Sequence, residues 1–224
     1  MMIHAIRLAL AAVSLGSLLT MSGCVSGYKK MTLEQQAAVQ SVSIAQSVSV
    51  PDFPMVFGPS TNAGAMLLGP LAVAAAASKD NPDGQALKRM FADHEIDLGT
   101  IVREEFVGTL KSMGSFPRVD VAQGEATFEL TVESYGLGAA GFTPFSPVNH
   151  PLKPHMRVSA KLTNRTGELL WQNSGYIAST NEAALEGRTF DEILADPKRT
   201  EKEFRAVARL VSGEVLKDLP IKYW

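Results

Sequence analysis

Cys24 is the only cysteine among the 224 residues of the chain. It stands where an apolar run, Leu8 to Thr20, gives way to polar sequence; only the small residues Ser14, Gly16 and Ser17 break that run. Arg7, with His4 nearby, gives the segment a positive start. Ser22 and Gly23 supply the small side chains that a signal peptidase needs just before its cut. The run is too short for a spanning helix, which needs about 20 mostly apolar residues. A lone cysteine in an exported chain needs an explanation of its own. Its placement reads as the point where the chain is cut and fixed to a lipid.

The other residue types that support chemistry are poorly arranged for it. His94, His150 and His155 remain once residues 1–23 are removed. Pro151 and Pro154 keep the span between His150 and His155 extended, so these two are not the helical histidine pair of a zinc site. Asp93-His94-Glu95 places two carboxylates beside an imidazole, but adjacent helical residues point to different sides. Gly136-Leu137-Gly138-Ala139-Ala140-Gly141 spells Gly-x-Gly-x-x-Gly, yet the Pro-rich sequence after it cannot open the helix a dinucleotide site requires. There is no Gly-x-Ser-x-Gly elbow and no phosphate loop. The expectation is a non-catalytic protein with no metal and no cofactor.

Met21-Ser22-Gly23-Cys24 resembles the lipobox of bacterial lipoproteins, with Met21 where the family usually has leucine. The resemblance implies a diacylglycerol on the Cys24 sulfur, cleavage before it and acylation of the new amine. Each buried methylene contributes about 0.8 kcal/mol, so two or three acyl chains anchor the protein far beyond reversible association. Val25 follows the cysteine. In enteric-type sorting an aspartate there favours the inner membrane, so the resemblance implies a periplasm-facing protein of the outer membrane.

Composition bounds the rest. The mature chain, Cys24 to Trp224, is long enough for one domain with a real core. The full chain carries 21 basic and 23 acidic side chains, a net charge of −2. No basic excess is present to hold a phosphate backbone, which argues against nucleic acid as a partner. With its cysteine lipidated the protein can form no disulfide, so the fold must rest on core packing.

The expected organisation is a signal peptide over 1–23, a lipidated tether over 24–36 and one domain over 37–224. Residues 37–50 read as a helix-like start passing into a strand that stops at Pro51. Residues 52–62 read as irregular, and 63–77 form a nearly all-apolar insertion around Gly69-Pro70, with Leu67, Leu68 and Leu71 at its centre. That insertion is either buried against the domain or applied to a membrane or partner, because long apolar surface is normally covered. Residues 78–84 read as a polar connector.

The clearest helix is 96–113. Leu98, Ile101, Val102, Phe106, Leu110 and Met113 recur at steps of three and four, Asp97 caps the start, and Gly114 suits the left-handed stop. A strand follows over 116–121. Residues 127–133 alternate, with Phe128, Leu130 and Val132 on one side, which implies an antiparallel sheet with one wet face. Residues 135–154 read as a long Gly/Pro-rich loop carrying Phe142 and Phe145.

Residues 155–163 alternate again, with Met156, Val158, Ala160 and Leu162 inward. Asn164-Arg165-Thr166-Gly167 makes a hairpin turn to a partner strand, 169–178, that carries Trp171. Thr189–Glu192 and Thr200–Glu203 both fit the capping box, the second opening a last helix striped by Phe204, Val207, Ala208, Val211, Val215 and Leu219 and ended by Pro220.

These elements predict an α+β two-layer sandwich: a mostly antiparallel sheet with two amphipathic helices on one face. That order is similar to small periplasm-facing lipoproteins such as the LPS-assembly lipoprotein LptE and the CsgG/TolB-N-like domains. The stretch Arg157 to Trp171 resembles their strand–turn–strand hairpin with Thr-Gly-Glu-x-x-Trp spacing. The resemblance implies a non-catalytic accessory subunit for envelope assembly, secretion or transport. It leaves an envelope protein as the partner, held at the surface formed by Leu67, Leu68, Leu71, Phe142 and Phe145. The alternative is a lipoprotein that binds a lipid or small apolar molecule between Phe142, Phe145 and Trp171.

Overall fold

The computed structural model describes residues 27–57, 76, 78–139, 151–178 and 185–220. The described chain is α+β. Its order is α1 (Leu33–Ala38), β1 (Ser41–Ile44), β2 (Met55–Val56), α2 (Pro82–Asp93), α3 (Leu98–Met113), β3 (Arg118–Val119), β4 (Ala126–Ala139), β5 (Leu152–Asn164), β6 (Leu169–Ile177), α4 (Phe190–Ala195) and α5 (Pro197–Leu216). The six strands form one sheet in the order β3-β1-β4-β5-β6, with β2 also on β4. β4, β5 and β6 are antiparallel neighbours, whereas β1 lies parallel to both β3 and β4, and β2 lies parallel to β4. The sheet is therefore mixed: its long strands pair antiparallel and its short strands parallel.

Alternation decides which face is covered. In β4, Ala126, Phe128, Leu130 and Val132 are buried while Glu129, Thr131 and Glu133 are exposed. In β5, Met156, Val158, Ala160 and Leu162 are buried against the same side. Helices α3 and α5 cover that face. The α3 stripe of Leu98, Ile101, Val102, Phe106 and Leu110 is buried, and Asp97 Oδ1 caps the helix by accepting from the Gly99 and Thr100 amides at 2.9 and 3.3 Å. Gly114 stops it at φ 64°. The α5 stripe of Phe204, Val207, Ala208, Val211 and Val215 is fully buried. Each such large side chain contributes about 1.5–3 kcal/mol on burial. On the outer side of the two helices, Arg205 meets Glu104 at 2.6 Å and Arg209 meets Glu105 at 2.8 Å. Each pair has at least one partner in solvent, so they hold register more than they stabilise.

Two glycines permit the close approaches that set the layer spacing. A Cβ on Gly175 of β6 would meet Val215 N at 2.9 Å and Val211 O at 3.0 Å, so α5 rides directly on that strand. Beside it, buried Asn173 donates to Val215 O at 2.8 Å. A Cβ on Gly136 of β4 would fall 1.8 Å from Met55 O, so β2 can lie beside β4 only because that position is bare.

Several sequence expectations are corrected. The stretch 24–36, read as a tether, is docked from Lys29 onward. Lys29 exchanges backbone hydrogen bonds with Gln172 at 2.9 and 3.0 Å along the edge of β6, and its ammonium donates to Leu169 O. Met31 and Gln36 are buried, and Gln36 Nε2 donates to Ser115 O and Pro220 O at 2.9 and 2.5 Å. The folded body thus begins before residue 37, because a polar segment finds backbone partners on an open strand edge.

The connector over 78–84 contains the start of α2. Asn81 Oδ1 caps it and Pro82 takes the first turn, where a missing N–H costs nothing. The loop over 135–154 is shorter than expected, since β4 runs on to Ala139 and pairs with Leu152–His155. The strand over 116–121 reduces to Arg118–Val119.

The box at Thr189 does cap α4, with Thr189 and Glu192 bonded reciprocally. The one at Thr200 does not open α5. Asp196 caps that helix and Pro197 begins it, which leaves Thr200 fully buried in its second turn. There Thr200 Oγ1 lies 2.9 Å from Ile193 O and accepts from Arg188 at 2.8 Å. Arg188, itself buried, also pairs with Glu203 at 2.7 Å.

Gly136→Ala is expected to lower stability by about 3 kcal/mol or more, because the clash is with backbone and β2 must leave the sheet. Gly108→Ala, on the exposed side of α3 with open space around it, should instead raise stability by about 0.5–1 kcal/mol. Thermal unfolding of the two variants against the parent checks both signs.

Candidate functional site

The strands arrange the described surface into two ends. Ala139 pairs with Leu152, Val56 with Leu137, and Leu152 with Arg188, so the chain around Phe57, Ala139, Pro151 and Leu185 gathers at one end of the sheet. Lys29 joins β6 at Gln172, which pairs with Lys161 on β5. Leu152 and Lys161 are nine residues apart on one strand, and at about 3.3 Å per residue the two levels are separated by about 30 Å.

The loop end is built around Met55, Gly136 and His155. Gly136 stands directly across the ladder from His155 and presents no side chain. The imidazole reaches over that gap, and its Nε2 donates to Met55 O at 3.2 Å. Because the carbonyl can only accept, this bond fixes the Nε2–H tautomer and leaves Nδ1 as a buried acceptor without a partner. Burial is the main cause that pushes His155 down to about 4, with the Met55 bond acting weakly the other way. The imidazole is therefore neutral at pH 7 and serves as a structural clasp. Tyr176 lies edge-on to it at 6.4 Å, with the Arg157 guanidinium 4.8 Å from the Tyr176 ring centre.

Beside this clasp is a cleft of about 240 Å³ lined by Pro51, Asp52, Phe53, Met55, Glu133, Ser134 and Tyr135. Burial, and secondarily the charge of Asp52, pushes the Tyr135 phenol up to about 12, so it stays protonated. Lys88 covers the Phe53 ring at 4.2 Å. The cleft offers acidic and hydroxyl groups beside aromatic surface, and His155 bonds to main chain instead of to any of them.

A second cleft of about 370 Å³ is lined by Leu185, Glu186, Arg199, Lys202, Glu203 and Ala206. Within it Arg199 pairs with Glu186, and with Glu203 at 3.2 Å.

The sequence candidates divide sharply. Cys24, Leu67, Leu68, Leu71, Phe142, Phe145 and His150 lie outside the described residues. Asp93, His94 and Glu95 are exposed at the end of α2, where His94 is the C-cap and Glu95 has φ 55°. Among the described residues no group of three or more His, Cys, Asp or Glu is placed to hold a metal. Gly136–Ala139 is strand, not a nucleotide loop. Trp171, offered as a pocket wall, is fully buried and packs edge-on to Phe128 at 5.8 Å. It lines neither cleft.

Sequence reasoning missed the His155 clasp. Its only local signal was the glycine at 136, and its partner Met55 is 100 residues from His155.

No protein-family model matches the sequence, and no curated protein matches it. Solved structures to which the chain is similar include two dodecamers of PelC from Paraburkholderia phytofirmans, one of them a point variant. Each is 11% identical, and the match covers 82% of this chain and 88% of that one, with TM-scores of 0.34 and 0.33. Among the described residues, no helix is long and apolar enough to cross a membrane.

The His155 clasp generates a pH dependence. The unfolded imidazole takes a proton near pH 6.5 and the folded one only near 4, so between those values the unfolded state binds more protons. Stability is fully present above about pH 6.5 and is lost as pH falls towards 4, by about 3 kcal/mol at saturation. His155→Gln keeps a donor for Met55 O and does not titrate. The difference between parent and variant in urea midpoint should therefore change across that window and stay constant above it.

Proposed function

We propose that this chain is a lipid-anchored, periplasm-facing protein of the outer membrane, whose body is a non-catalytic accessory to envelope assembly or transport. The observation that carries the reading is the junction at Met21-Ser22-Gly23-Cys24: an apolar run, two small residues and the sole cysteine in immediate succession. The described body begins close behind it, with Lys29 already paired to β6. An anchor at Cys24 therefore ties down one defined edge of the sheet.

The loop end, about 30 Å further along β5, is the end available to a partner. The apolar insertion 63–77 and the remaining loop residues 140–150, with Leu67, Leu68, Leu71, Phe142 and Phe145, are connected to the body there and form the proposed partner surface. The alternative reading, a lipoprotein for a small apolar ligand, loses Trp171 as a wall, because that indole is committed to the core.

Cys24→Ser should move the protein from the membrane fraction to the soluble fraction, and the N-terminal peptide of the parent should carry the mass of the acyl chains. A parent that is soluble and unmodified overturns the anchor. Photo-crosslinkers at Leu68 and Phe142 in intact cells should trap one envelope protein reproducibly. Labelling of lipid or ligand alone, with no protein adduct, favours the alternative.

A further inference from the structure

Among the described residues three large apolar side chains stand exposed: Tyr28 at 52%, Leu33 at 67% and Tyr176 at 44%. Tyr176 is engaged by Arg157 and His155 on the open face of the sheet. Tyr28 and Leu33 are four and nine residues beyond Cys24. They are not carried on a loose leader. Tyr28 precedes Lys29, whose backbone is bonded on both sides to Gln172, and Met31 beyond it is buried. Leu33 is the first residue of α1, whose start is closed by the reciprocal Thr32–Gln35 capping box. The fold therefore holds two large apolar groups outward at the edge where the chain enters the body.

Chain length limits how far Tyr28 can lie from the proposed anchor. Four residues reach at most about 14 Å when fully extended, so Tyr28 cannot be further than that from Cys24. The polar layer on each side of a bilayer's hydrocarbon core is itself only about 5–8 Å thick. Tyrosine is enriched at that depth because its ring is apolar and its hydroxyl is wet. Lys30, 5.6 Å from the Tyr28 ring centre, can keep its ammonium in water while its stem lies along apolar surface.

The charges near these side chains are mixed. The Lys29 ammonium is engaged with Leu169 O, the Tyr28 hydroxyl and then Asp218 act on Lys30, and Glu34 follows Leu33 in α1. Attraction to anionic lipid is thus not the main force, and apolar contact is. Resting on the proposed anchor at Cys24, we infer that Tyr28, Lys30 and Leu33 form a second membrane contact, seated at the headgroup boundary of the bilayer that holds the acyl chains. This contact turns the Lys29 edge of β6 towards the membrane and the loop end away from it.

The test uses the mature acylated protein, Cys24 to Trp224, in vesicles of phosphatidylethanolamine and phosphatidylglycerol. Acylation blocks the native cysteine, so Tyr28→Cys, Leu33→Cys and, as control, Tyr176→Cys each take one environment-sensitive fluorophore at an exposed site. Flotation comes first: protein that does not float with the vesicles overturns the anchor itself. For floating protein, at least a two-fold rise in emission at 28 and 33 is expected, with quenching by headgroup-labelled lipid and no change at 176. Lowering the anionic lipid should leave the effect in place. Emission at 28 and 33 equal to that at 176 overturns the inference while sparing the anchor. Shielding without quenching by lipid overturns it as well, in favour of a protein partner on the same side chains.

Discussion

Phe128 is the contact on which the two layers depend. Its ring meets Phe106 of α3 at 5.3 Å, Trp171 of β6 at 5.8 Å and Phe116, just beyond α3, at 6.1 Å, all in edge-on arrangements. Such pairs add about 0.5–1.5 kcal/mol each beyond the area they bury. The period-two pattern of β4 and the three-and-four pattern of α3 thus end on the same aromatic group. With no second cysteine to form a disulfide, this cluster, with Phe91 and Phe204 packed at 5.1 Å beyond it, has to hold the domain by burial alone.

One covered face leaves the other polar, and the architecture uses both. Glu129, Thr131, Arg157, Lys161 and Tyr176 stand on the open side, with Lys161 and Glu129 2.8 Å apart. That pair is exposed and adds little stability. The tighter restraints lie where backbone meets backbone. Bare positions at Gly136 and Gly175 let β2 and α5 come close, and His155 and Asn173 then satisfy the Met55 and Val215 carbonyls at those approaches.

The same restraints give the body its two ends. The N-terminal segment is bound along the edge of β6, where an open strand offers unpaired N–H and C=O groups. The connections between β4 and β5 and beyond β2 depart from the other end of the long strands. The sheet thus lies between the edge that binds Lys29 and the end from which these connections depart. That division suits the accessory role proposed for the chain.

Much of the fold was legible locally. The Asp97 cap, the 98–110 stripe and Gly114 delimit α3 almost to the residue, and Asn164 to Gly167 specifies its hairpin, because caps and turns act over three or four residues. The proposed anchor at Cys24, by contrast, rests on sequence alone, since that residue lies outside the described ones.

Tertiary structure decided the rest. Gly136 to Ala139 lacks strand propensity and is strand only because Leu152 to His155 pairs with it. Thr200 spells a cap and is instead buried, since Asp196 and Pro197 had already begun the helix. Residues 29–36 look like free linker until the edge of β6 takes Lys29 and the Ser115 and Pro220 carbonyls take Gln36. The Met55–Gly136–His155 clasp joins segments far apart in the chain, and no local pattern encodes which distant carbonyl a buried imidazole will meet.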